Sequence, residues 1–157
     1  MEIKLVRLTT KHKTEVFKWR NDISTRRMSK NKVEINWDEH SKWFEESMMN
    51  SNKLIYIGVV KNKSIGIIRF EKTYEDNFIY KVSITIAPES RGKGYGKELL
   101  KQGINQLFKD DPNTKGIIGE VKKENIKSNS LFNKFNFTII KTIGEFNEYS
   151  LFKKDIK

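Results

Sequence analysis

Cysteine is absent from the 157-residue chain. That excludes a disulfide framework and a thiolate metal site, and it lends no support to secretion. Histidine occurs only as His12 and His40, too few for a histidine-rich metal centre, so no metal is expected. No repeat, low-complexity tract or linker interrupts the chain, and its length suits one domain with a core of its own, spanning 1–157. Long apolar runs are missing too. The longest, Leu54 to Val60, is far too short to span a bilayer. Met1-Glu2-Ile3-Lys4-Leu5 alternates like a strand and does not resemble a signal peptide. These absences predict a soluble, cytoplasmic chain with no membrane partner.

Charge is present in excess. Lysine and arginine number 31 against 20 aspartates and glutamates, a net +11. Such a surface favours anionic partners: phosphorylated small molecules, acidic lipid or nucleic acid. The basic residues are spread over the whole chain and no RNP-like or KH-like segment is visible. An RNA-binding module is therefore the lesser alternative, and no nucleic-acid partner is expected.

The informative stretch is Val82 to Phe108. Val82, Ile84 and Ile86 alternate with Ser83 and Thr85 as a strand, Ala87-Pro88 stops it, and Arg91-Gly92-Lys93-Gly94-Tyr95-Gly96 follows. Leu99, Leu100, Ile104, Leu107 and Phe108 then recur at helical spacing. Strand, glycine-rich turn and helix form a layout that receives phosphate, because the free N–H groups of the first helical turn and the helix dipole both face the anion. A dinucleotide fingerprint would need a third glycine where Lys97 stands. A nucleotide P-loop would need glycine at Arg91 and Ser or Thr at Glu98. Both common readings fail.

The remaining segments read in order as a strand at 2–8, a helix at 11–20, and a second helical piece carrying Arg26, Arg27 and Met28. A helix follows at 37–49, capped by Asn36 or Asp38. A hairpin of 54–60 and 64–70 turns at Lys61-Asn62-Lys63. Then come strand 77–87, a helix from Gly94 to about Lys109, strand 115–121, a helix from Asn125 to Lys134, and closing strands at 137–140 and 149–152. The mixture predicts an α+β or mixed α/β domain with one central sheet.

R-G-x-G-x-G after a strand ending in proline resembles the acetyl-CoA pyrophosphate loop of the GCN5-related N-acetyltransferases (GNAT), and the order of elements resembles that fold over essentially the whole chain. The resemblance implies a mostly antiparallel twisted sheet, a splayed parallel strand pair and flanking helices. It implies acetyl-CoA as cosubstrate, with Arg91, Gly92, Lys93, Gly94, Tyr95 and Gly96 around the pyrophosphate. Ile84, Thr85 and Ile86 would meet the pantetheine arm through their backbone, and an N–H near Ile86 would face the thioester oxygen. The run Asn125 to Phe137 resembles the family's second signature: Asn125 opens the helix, Ser128 takes the small position, and Lys134 and Phe137 match. Asn136 replaces a glycine, and Phe132 stands where many members have a tyrosine general acid. Tyr95, Tyr80 or water are the candidate substitutes. Glu120, at a strand end beside the presumed gap, is the candidate base through a water, and Ser83 could orient that water. With no cysteine to carry the acetyl group, transfer by direct attack is expected.

The N-terminal half would set the acceptor, a small-molecule amine. Trp19, Arg20, Asn21, Arg26, Arg27, His40 and Trp43 resemble the pattern of family members that acetylate 4-amino-sugar nucleotides, as in pseudaminic acid synthesis. Arginines and tryptophan suit a diphosphate and a sugar or base face. His40 equally fits a solvated helix face, and Trp43 a core position. Acetylation of a protein N-terminus, as by ribosomal-protein acetyltransferases, and aminoglycoside acetylation are the alternatives within the fold. Edge strands near the C-terminus leave monomer and homodimer both open.

Overall fold

The computed structural model describes residues 2–156. It contains β1 (Lys4–Arg7), α1 (Lys13–Asn21), α2 (Ile23–Arg27), α3 (Trp37–Met49), β2 (Lys53–Val60), β3 (Lys63–Lys72) and β4 (Ile79–Ile86). These are followed by α4 (Tyr95–Asp110), β5 (Gly116–Lys122), α5 (Ile126–Lys134), β6 (Thr138–Ile143) and β7 (Phe146–Phe152). The seven strands form one sheet ordered β1-β2-β3-β4-β5-β7-β6. Every neighbouring pair is antiparallel except β4 and β5, which run parallel. This is the α/β class anticipated, with element ends shifted by a few residues.

Local chemistry sets the ends. Asn36 caps α3: its Oδ1 accepts from Glu39 N–H at 2.9 Å, and its amide donates to Glu39 Oε1 at 3.0 Å. The β2–β3 turn is tighter than the three residues expected, because Lys61 and Asn62 both adopt positive φ (49° and 65°) and Lys63 already belongs to β3. That backbone matches the strand twist of a two-residue hairpin.

The centre of the sheet, β2 and β3, is buried on both faces. Tyr56, Ile68, Phe70, Tyr80, Val82, Ile117 and Val121 pack with Leu99, Leu100, Ile104 and Leu107 of α4. On the other face Ile55, Ile57 and Ile67 meet Val16 and Trp19 of α1 and Phe44 of α3. Period-two strands laid between two helical layers explain why β2 and β3 read as nearly continuous apolar runs. Tyr56 Oη donates to Asp110 at 2.5 Å and Tyr80 Oη to Asp111 at 2.7 Å, fastening the end of α4 to the sheet.

The parallel pair parts soon after it forms. Register holds for Ile79 with Gly116, Tyr80 with Ile117 and Lys81 with Ile118, and no pairing follows. Phe132 of α5 sits at the parting point, 3% exposed. A Cβ on Gly119 would lie 2.9 Å from its ring, so the missing side chain is the space the ring fills. The ring stacks on Tyr149 at 5.4 Å and meets Phe137 edge-on at 4.8 Å. Phe132→Ala should therefore cost about 3–5 kcal/mol, read as a lower urea midpoint; a midpoint within error of the parent would show that the ring is not packed as described.

Candidate active site

A short 3₁₀ turn, Pro88–Ser90, carries the chain from β4 into the glycine loop. Gly92 and Gly94 adopt φ of 77° and 81°, conformations that side chains with a Cβ rarely take. Gly94 is the N-cap of α4, so no side chain caps that helix. The N–H groups of Gly92 to Gly96 find no partner elsewhere in the backbone or on side chains among the described residues. They lie at the positive end of a sixteen-residue helix, which makes a place for an anion.

The charges around the loop are arranged differently from the sequence expectation. Arg91, expected beside the pyrophosphate, donates to Asp22 Oδ2 and Thr25 Oγ1, both at 3.0 Å, tying the loop to α2. Burial raises the Asp22 carboxyl, but the Thr25 N–H and Arg91 outweigh it and hold the group below its ordinary value. Lys93 is exposed and, with Lys61 and Lys63, borders a hollow of about 230 Å³ beside Tyr95. Asn125 spends its side chain on the cap of α5, accepting from Ser128 N–H at 3.2 Å. Lys134 is exposed at the last turn of α5.

Above the loop lies the gap between β4 and β5. Ala87 N–H donates to Ile65 C=O at 2.8 Å, toward β3. Alternation along the strand then turns the N–H and C=O of Ile86 and Ile84 away from β3, into the gap. Thr85 points its backbone at β3, so its expected place on the cofactor is corrected: those groups belong to the β3 ladder. Ser83 is also drawn away, accepting from Arg69 at 3.0 Å. Tyr80 is removed from the proton donors, since its hydroxyl is spent on Asp111 and burial, then that hydrogen bond, raise its pKa.

Glu120 lies two residues beyond the last β4–β5 pair, on the α1–α3 face. Its side chain is 16% exposed. Lys81 Nζ meets Oε1 at 2.6 Å, and Lys30, from the loop after α2, meets Oε2. Burial pushes the carboxyl up, yet the two lysines outweigh it and hold it below its ordinary value. Directly across the β5–β7 pair stands Glu148, whose Oε2 is 3.4 Å from Lys141. Lys122, buried, donates to the carbonyl of Arg27 at 3.0 Å and so pins α2 to β5.

The expected acceptor residues divide. His40 is 0% exposed. Its Nε2 is 2.8 Å from Lys13 O and must donate there, which leaves Nδ1 to accept from Arg20 at 3.1 Å. Burial lowers its pKa; the hydrogen bond to the Lys13 carbonyl opposes that, and the nearby Arg20 and Lys13 charges add to the lowering. His40 therefore positions Arg20 and does not reach a ligand. Arg20 lies 4.1 Å from the Trp43 ring centroid and Arg69 lies 5.2 Å from it. Burial, then Arg69, pulls Arg20 down to about 10. Trp19, 4% exposed, is core. Asn21 clips the loop closed: its amide donates to Ile35 O and its Oδ1 accepts from Ile35 N–H, each at 2.8 Å. Arg26 donates to Asn21 O at 3.1 Å and Lys32 O at 3.4 Å. Arg27 alone presents an exposed side chain with no side-chain hydrogen bond or ion pair among the described residues.

Several residues went unnoticed in the sequence. Lys81 shares the face of Ser83 and Thr85 by strand alternation, which could have flagged it. Asn129 links α5 to β5 and β7, donating to Lys122 O at 3.0 Å and accepting from Tyr149 Oη at 2.6 Å. Lys30, Arg69 and Glu148 meet the site only through the tertiary fold.

Residues 2–138 match the family model described as acetyltransferase (GNAT) domain. No curated protein matches the chain as a close relative. Among solved structures, spermidine N-acetyltransferase from Vibrio cholerae, in complex with CoA and spermine, superposes with a TM-score of 0.86 at 16% identity, covering 97% of this chain and 96% of that one. The Campylobacter jejuni N-acetyltransferase PseH, in complex with acetyl coenzyme A, gives a TM-score of 0.74 at 22% identity, with coverage of 97% and 99%. Aminoglycoside acetyltransferase AAC(6')-Ib with coenzyme A gives 0.82 at 14%, with coverage of 98% and 96%.

Proposed function

The chain belongs to the acetyltransferase (GNAT) domain family and is an N-acetyltransferase that takes acetyl-CoA as cosubstrate; from that premise we propose direct transfer to a primary amine, the 4-amino group of a UDP-amino-deoxy-sugar. The observation that carries direct transfer is the open edge of β4 beside an uncapped helix start. The glycine loop offers backbone N–H groups to the pyrophosphate, with charge-assisted hydrogen bonds as the main attraction. Ile84 and Ile86 offer backbone groups to the arm, and the Ile86 N–H faces the developing oxyanion. A preorganised donor of that kind is worth about 10²–10³ in rate.

Glu120 takes the amine proton, directly or through water. No dedicated acid is required: a thiol of pKa about 8.5 leaves as thiolate at pH 7 for roughly 2 kcal/mol. Lys81 keeps Glu120 ionised and also makes it a weaker base. Lys81→Met should raise the Glu120 pKa, and the acidic limb of kcat/KM should move to higher pH. A limb left where it was would separate Lys81 from the chemistry.

The acceptor reading is supported by the cations at the mouth of the gap, Arg27, Lys30 and Lys32, all exposed. They suit a diphosphate. It is supported too by likeness to the Campylobacter N-acetyltransferase. A cytoplasmic setting belongs to the same reading, and no helix among the described residues is long and apolar enough to cross a membrane. A second reading, an oligocationic amine, is favoured by a hollow of about 500 Å³ bordered by Glu15, Glu34 and Glu89, with Lys18 and the Arg91-paired Asp22 also on its wall. Thiol release from acetyl-CoA, measured with a UDP-4-amino-sugar, spermidine, an aminoglycoside and a peptide with a free N-terminus, separates the readings. The proposal expects the highest kcat/KM with the sugar nucleotide; preference for spermidine would replace it with the second.

A further inference from the structure

The mouth of the gap already holds a primary amine. Lys30 extends from the loop between α2 and α3 and sets its Nζ on Glu120, 5.7 Å from the ring centroid of Phe146. The side chain is 61% exposed, whereas Glu120 is 16% exposed, so a solvated stem delivers its head into a sheltered carboxylate. The backbone that carries it is anchored on both sides. Lys122 holds the Arg27 carbonyl at 3.0 Å, Arg26 reaches the Lys32 carbonyl at 3.4 Å, and Ser29 Oγ donates to Thr25 O at 2.7 Å. On the opposite face of the gap α4, α5 and the Phe132 ring pack against the sheet, so an incoming amine would meet Glu120 from the α1–α3 face. An ammonium on Glu120 thus stands where an acceptor would deliver its proton. It also hangs from four methylenes on a side chain that is 61% exposed.

We propose that Lys30 is itself an acceptor, acetylated by its own chain when acetyl-CoA is bound and no external amine competes. This rests on the acetyl-transfer reading above. The Lys30 ammonium gives its proton to the Glu120 carboxylate. The neutral Nζ then attacks the thioester carbonyl carbon and the C–N bond forms. As the C–S bond breaks, the nitrogen's second proton passes through solvent to the leaving sulfur, coenzyme A departs as the thiol, and Glu120 returns the first proton to solvent. The amide product is neutral, so the ion pair with Glu120 is lost. Modified enzyme then carries one cation fewer at the mouth, and its base is released from one of its two lysines.

The test is mass spectrometry of the full chain incubated with acetyl-CoA alone, followed by peptide mapping over time. Lys30 should gain one acetyl group well before the exposed helical lysines Lys97 and Lys127. Glu120→Gln should slow labelling of Lys30 about 10²-fold and leave Lys97 and Lys127 at their background rate. Lys30→Arg should remove the early mass gain. Equal labelling of Lys30, Lys97 and Lys127, or an unchanged Lys30 rate in Glu120→Gln, overturns the proposal, since either means chemical acetylation in solution. The same preparation is assayed for thiol release with the amine panel. Turnover of an external amine without Lys30 labelling rejects this inference and leaves acetyl transfer standing; neither signal rejects both.

Discussion

Gly94→Val should abolish acetyl-CoA binding in a calorimetric titration while the chain keeps its fold. Gly94 holds φ 81° and ψ 9° at the N-cap of α4. A β-branched residue in that region is an outlier, and forcing it costs about 1–3 kcal/mol. The backbone relieves that strain by rotating away, which turns the N–H groups of the loop off the anion. A Cβ with two methyls also fills the space where the backbone must approach the ligand. Gly94 itself is exposed and belongs to neither core, so the far-ultraviolet circular dichroism and a cooperative melt should survive. Wild-type affinity in a folded Gly94→Val chain would mean the pyrophosphate lies elsewhere.

Glu120→Gln should lower kcat about 10²–10⁴-fold with acetyl-CoA affinity unchanged. The amide keeps the shape and the hydrogen-bond oxygen but cannot take a proton. Its pH behaviour follows from the lysines. Because Lys30 and Lys81 outweigh burial and depress the folded carboxyl, Glu120 contributes stability above its ordinary pKa of about 4.3. That contribution is lost as pH falls through the lower folded value. The pair is partly solvated, so Glu120→Gln should change the melting midpoint at neutral pH only slightly. A variant with parental kcat across the pH range would remove Glu120 from the reaction.

The sequence made some of this site visible and hid the rest for identifiable reasons. The glycine loop was legible because Gly92 and Gly94 carry a backbone requirement that leaves a mark on residue type, and Asn36 and Asn125 marked helix starts in the same way. Strand alternation placed Ile84 and Ile86, but not the direction of their N–H groups; that needed the Ala87 hydrogen bond to Ile65. It also could not show that Thr85 is spent on β3. The acceptor side was less legible because composition does not reveal partners. His40, Arg20 and Trp43 look like ligand residues and instead satisfy one another, while Asn21 looks free and closes a loop. Arg91 was placed with the pyrophosphate loop alone because Asp22, 69 residues away in the chain, was not recognisable as its partner. Phe132 looked like a lost acid; the vacancy at Gly119 shows what its ring does instead.

The central claim is that acetyl passes straight from coenzyme to amine across the β4–β5 gap. Initial rates of thiol release, varied in acetyl-CoA at several fixed concentrations of the preferred amine, test it most directly. Intersecting double-reciprocal lines are predicted, because both substrates must be bound before the acetyl group moves. Parallel lines would report an acetylated enzyme on the path and contradict the account.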